Sequence, residues 1–77
     1  MKIEYDREVD ALYIRIQEKE VSRTKELQEG INIDLDEKDK IIGLEIIGAT
    51  EKYDQKDIFN ISMENLILEE STQSIQK

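Results

Sequence analysis

The stretch EYDREVDALYIRI, residues 4–16, sets a short polar break between two runs in which apolar and polar residues alternate. Ile3 and Tyr5 alternate with charged neighbours on one side of the break, and Leu12, Ile14 and Ile16 do so on the other. With Arg7–Asp10 as the loop, Asp6 faces Ala11, Tyr5 faces Leu12 and Ile3 faces Ile14. Every large apolar residue of the two runs then lies on one face, as a half-buried antiparallel pair requires. A loop one residue longer or shorter destroys that agreement. The stretch therefore predicts a β-hairpin. Asp6 and Asp10 flank its loop, where carboxylates accept turn N–H groups, and this reading is preferred to a functional acidic pair.

The same test applies to GINIDLDEKDKIIGLEIIGA, residues 30–49. With Glu37–Lys40 as the loop, Leu35 is expected opposite Ile42, Ile33 opposite Leu44 and Ile31 opposite Ile46. The second of these strands carries Ile41 and Ile47 on its other face as well, so it belongs at the centre of a sheet or beneath a covering element. Between the hairpins, EVSRTKEL (residues 20–27) is β-capable but polar. It suits an edge strand guarded by charge, with a bulge as an alternative, since simple alternation would turn Arg23 and Lys25 toward the core. After Ala49 the pattern changes. Thr50 is expected to cap a short helical segment over residues 51–56. IFNISM returns to alternation, and Ser62 is placed to cap a helix over MENLILEE, although a strand fits NLILE nearly as well. The expected architecture is α+β and mostly β: a five-stranded, mainly antiparallel meander with a short C-terminal helical segment. Residues 1–70 form one small domain in this reading, and 71–77 a frayed tail.

Composition narrows the function. The 77 residues include no Cys and no His, which removes disulfides, thiolate or imidazole zinc sites, and nucleophile–histidine pairs. With so small a core, oligomerisation is the remaining route to more buried surface, and a homodimer is expected. No stretch reaches transmembrane length and no apolar leader opens the chain, so the cytoplasm is the expected address. Nineteen acidic against 11 basic residues give a net charge of −8, which repels phosphate backbones and favours a basic protein partner.

The two hairpins together resemble a small prokaryotic family known as domain of unknown function 2283. The resemblance spans residues 2–50. Tyr5, Asp6, Asp10, Ala11, Leu12, Tyr13 and Ile14 match its first half, and Asp36, Gly43, Glu45 and Ile46 its second. Arg7 stands where the family commonly has Pro, and Asp39 where it commonly has Gly; both are turn positions, and Asp tolerates the left-handed conformation. The resemblance implies no catalytic activity. It is consistent with a regulatory or antitoxin-like subunit beside another small protein.

Chemistry, if present, is expected on the polar face of the sheet. The registers put Tyr13 and Arg15 there from one hairpin and Asn32, Asp34 and Glu45 from the other. Tyr13, Arg15, Asp34 and Glu45 are the candidate catalytic or ligand-binding set, over a backbone laid bare by Gly43. The competing reading is a solvated face with cross-strand polar pairs, and it is preferred. DLDEKD, residues 34–39, superficially resembles a calcium loop, but the sixth position lacks the required glycine and the hairpin holds the chain extended. The scattered glycines make no phosphate-binding loop. No cofactor or metal is expected. The conclusion at this level is a non-catalytic interaction module, with a small enzyme or ligand-binding protein as the alternative.

Overall fold

The structure, a computed structural model, describes residues 1–65. Five strands, β1 (Lys2–Asp6), β2 (Ala11–Arg15), β3 (Arg23–Gln28), β4 (Ile31–Leu35) and β5 (Ile41–Ile47), form one antiparallel sheet. Two short helices follow, α1 (Ala49–Lys52) and α2 (Gln55–Ile58). Five antiparallel strands followed by short helical structure agree with the expected mostly-β α+β class. The first hairpin register holds throughout and the second over most of its length: Tyr5 pairs with Leu12, Ile3 with Ile14, Ile33 with Leu44 and Ile31 with Ile46.

The strand order departs from the expected meander. It runs β1-β2-β5-β4-β3, so β2 lies beside β5 and β3 goes to the far edge. Three consecutive hairpin-linked strands, with the preceding strand beside the last of them, make a Greek key. The physical reason is apolar matching. Beside β5, Leu12 meets Ile46 and Ile14 meets Leu44, whereas polar β3 has nothing comparable to offer. The doubly apolar strand thus takes the centre, as its pattern requires. β3 is an edge strand, exposed along its whole length, with a register shift between Glu26 and Gln28.

The connection from β2 to β3 must cross the ends of β5 and β4, and it is pinned along the way. Ile16 and Gln17 both donate backbone N–H to the Ile42 carbonyl, and Ser22 donates to that of Leu35. Midway, the Lys19 ammonium reaches the buried Asp36 carboxylate at 3.0 Å.

One register differs from expectation. Leu35 pairs with Ile41, not Ile42, and a bulge lies between Asp34 and Leu35. The bulge lets Leu35 and Ile42 both be buried while Ile41 turns outward, 45% exposed. Leu12, Ile33, Leu35, Ile42 and Ala49 form the core.

The helical segment also departs from its expected form. α1 begins at Gly48, which adopts the left-handed conformation at φ 72°, so Thr50 lies inside the helix and does not cap it. The helix breaks at Tyr53–Asp54, and α2 packs Phe59 edge-on against Tyr5 with ring centroids 4.9 Å apart. Residues 60–64 form no strand despite their alternation. The helix or strand expected over 63–70 lies largely, and the tail over 71–77 wholly, outside the described residues. Among the described residues, no helix is long and apolar enough to cross a membrane.

Candidate functional site

Cross-strand pairing assembles the polar face. Tyr13 on β2 sits opposite Glu45 on β5, which sits opposite Asn32 on β4; the next row runs Arg15, Gly43, Asp34 and Thr24. The four candidates are therefore brought together. Tyr13 reaches diagonally across Gly43 to donate its hydroxyl to Asp34 Oδ2 at 2.6 Å. Thr24, which the sequence reading overlooked, donates to the other oxygen, Oδ1, also at 2.6 Å. Asn32 donates to Glu45 at 3.3 Å. The Arg15 guanidinium lies 5.1 Å from the Tyr13 ring centre and turns its Nε toward Glu18.

Gly43 owes its place to this arrangement. A Cβ there would fall on the Tyr13 hydroxyl and 2.6 Å from Cζ, so the phenol ring occupies the space a side chain would need. An aromatic ring laid over a strand glycine on the neighbouring strand restores the cover that the glycine lacks. No helix or second subunit is needed to explain the residue.

The chemistry follows from the protonation state. Burial first, then the hydrogen bond and charge of Asp34, push the Tyr13 phenol up to about 12, with Arg15 pulling the other way. At neutral pH Tyr13 is thus a hydrogen-bond donor and holds no phenolate that could act as a base. Asp34 has both oxygens engaged, and Glu45 is held by Asn32. Among the described residues no buried side-chain polar atom lacks a partner, and no three His, Cys, Asp or Glu residues converge to hold a metal ion. Beside Tyr13 and Glu45 lies an open depression of about 700 Å³, whose far wall is the hairpin loop with Arg7 and Glu8.

The motif aspartates do separate jobs. Asp6 accepts the Glu8 N–H at 2.9 Å, closing the first turn as expected. Asp10 does something else. At φ 54° its carbonyl turns toward α1 and accepts the N–H groups of Gly48 and Ala49. Its carboxylate accepts the Thr50 N–H and hydroxyl and, at 2.6 Å, the Tyr5 hydroxyl. Asp10 is in effect the cap of a helix some 40 residues away. The Tyr5 hydroxyl, reinforced by Thr50 and opposed by burial, holds the Asp10 carboxyl below the ordinary carboxylate range, and the same bond pushes the Tyr5 phenol up. No local pattern announces the Asp10–Thr50 pairing, which only the closed sheet creates.

Asp36 organises the second loop. Its Oδ1 accepts the Lys40 and Lys38 N–H groups at 2.9 and 2.8 Å, and Lys19 completes the shell. Together, the Lys40 amide foremost, these lower its carboxyl to about 2. Asp39 takes the left-handed conformation at φ 64°.

Comparison with known proteins adds one match. No curated protein and no solved structure matches the chain. The model of the family described as "Protein of unknown function (DUF2283)" matches residues 2–49, which contain all five strands and every residue of the polar cluster. The chain belongs to that family.

Proposed function

We propose that this chain is a non-catalytic protein-interaction module, a homodimer acting in the cytoplasm as a regulatory or antitoxin-like subunit toward a basic protein partner. The observation that carries the reading is a contrast between polar groups that are satisfied within the chain and apolar groups that are left open. On the polar face, the groups fit for acid–base work are spent on one another, and the phenol stays protonated up to about 12. On both faces large apolar side chains remain open to solvent among the described residues: Ile3 and Ile16 on the apolar face, and Ile41 and Ile47 at the two ends of β5 on the polar one, are 38–47% exposed. A single sheet buries one face at most, so such residues mark surfaces that association covers. The net charge of −8 supports a basic partner, and a chain without cysteine suits a reducing compartment.

Sedimentation equilibrium over micromolar concentrations tests the module at its simplest level. A concentration-dependent dimer is expected. A 9.1 kDa monomer that unfolds cooperatively at every concentration sinks the proposal.

A further inference from the structure

The backbone of β1 shows where a second copy fits. Ile16 donates its N–H to the Ile42 carbonyl at 2.9 Å, so the even-numbered residues of β2 turn their backbone groups toward β5. By strand alternation Ala11, Tyr13 and Arg15 turn theirs toward β1, where they meet Asp6, Glu4 and Lys2. The N–H and C=O groups of Ile3 and Tyr5 therefore point away from the sheet, and no strand among the described residues pairs with them. All five residues of β1 are exposed, and its register with β2 is unbroken. The opposite edge is different. β3 is interrupted between Glu26 and Gln28 and carries Arg23 and Lys25, two devices that blunt an edge against pairing.

We infer that a second copy of this chain docks antiparallel along the outer edge of β1, with Ile3 of both copies on the two-fold axis and Lys2 of each opposite Glu4 of the other. The inference rests on the self-associating reading above and names its surface. Charge selects the register. A two-fold pairing that keeps the apolar faces together must centre on a residue of β1, and Ile3 and Glu4 are the central choices. Centring on Glu4 sets that carboxylate against its own copy in a close, non-hydrogen-bonded pair, which is repulsive. Centring on Ile3 makes Ile3 the backbone-bonded pair, through its two outward groups. It also places Lys2 against Glu4 twice, in the closely spaced positions. Within one chain these two side chains already lie 3.8 Å apart and well exposed, so pairing builds a ring of alternating charges. Met1, 83% exposed, comes opposite Tyr5. β3 has no equivalent solution: centring on Lys25 or on Glu26 sets that charge against its own copy, and centring on Thr24 sets Arg23 against Lys25.

Charge exchange tests this directly by sedimentation equilibrium on the full chain. Lys2→Glu and Glu4→Lys should each weaken the dimer roughly tenfold, since each turns two attractive pairs repulsive. The double exchange K2E/E4K should restore wild-type affinity. An equimolar mixture of the two single variants should form a heterodimer tighter than either homodimer. In the wild type, the Ile3 and Tyr5 amides should gain protection from hydrogen exchange as concentration rises, with no need of any substitution. If the wild type dimerises but the single variants match it, or those two amides exchange at one rate throughout, the β1 edge is overturned while the self-association reading stands. A wild type that stays monomeric overturns both.

Discussion

Gly43 and Tyr13 show how a single position can look chemical and be structural. The ring lies over the glycine, and its hydroxyl closes on Asp34. Gly43→Ala should therefore displace the ring and destabilise the chain by about 2 kcal/mol, the usual scale of overpacking. In a Tyr13→Ala background the same substitution should cost nothing, because the space is then empty; chemical denaturation of the four-member cycle measures the coupling. The phenol also sets an alkaline limit. Its folded-state value of about 12 exceeds an ordinary 10.0, so its contribution is intact below pH 10 and lost as pH rises toward 12. Tyr13→Phe should remove the last tyrosine ionisation step in an ultraviolet titration and flatten the fall in stability over that window.

At the scale of elements, two aspartates hold pieces of chain that strand pairing alone leaves loose. Asp36 ties the β4–β5 loop to the crossing segment through Lys19, and Asp10 ties the β1–β2 loop to α1 through Thr50. Both carboxyls are held below their ordinary values, so each stabilises the fold above about pH 4. That contribution is lost as pH falls through the folded-state values, which for Asp36 means toward pH 2. Acid unfolding followed by circular dichroism should show wild-type stability declining between pH 4 and 2. Asp36→Asn should be less stable at pH 7 and should lose part of that slope. Asp10→Ala should lower the thermal midpoint by several degrees and release the α1 amides to fast exchange, while those of β2 stay protected, because the cap is lost and the ladder is not.

At the scale of the molecule, charge distinguishes the two kinds of association. Two copies at −8 each repel, so raising salt from low concentration should strengthen the homodimer by screening. Capture of a basic partner should weaken over the same range, mostly through a slower on-rate. The salt dependence of dimerisation by sedimentation, beside that of partner binding by stopped flow, separates them by sign. Partner binding indifferent to salt removes the electrostatic argument and leaves the apolar surfaces to account for recognition. Asp34 is a poor choice for charge reversal in such tests, because its carboxylate ties β2 to β3 through Tyr13 and Thr24.

Much of this is written in two-residue periodicity. Strand alternation assigned the faces, and loop length then paired Ile3 with Ile14 and Ile33 with Leu44, because a slip of one residue would turn every apolar side chain to solvent. The same registers place Tyr13 and Arg15 on the polar side of one hairpin and Asp34 and Glu45 on that of the other. Periodicity is blind to what lies far along the chain. The placement of β2 beside β5 depends on competition among strands for apolar partners, which the closed sheet resolves. The bulge at Leu35 depends on burying that residue and Ile42 together. Thr24 on Asp34, Thr50 on Asp10 and Lys19 on Asp36 join residues 10, 40 and 17 positions apart, and a hydroxyl or ammonium carries no local mark of the carboxylate it will meet. Local patterning determined the strands, their faces and the hairpin registers; tertiary structure alone decided the strand order and the polar contacts, because both are settled by which distant groups the folded sheet brings within reach.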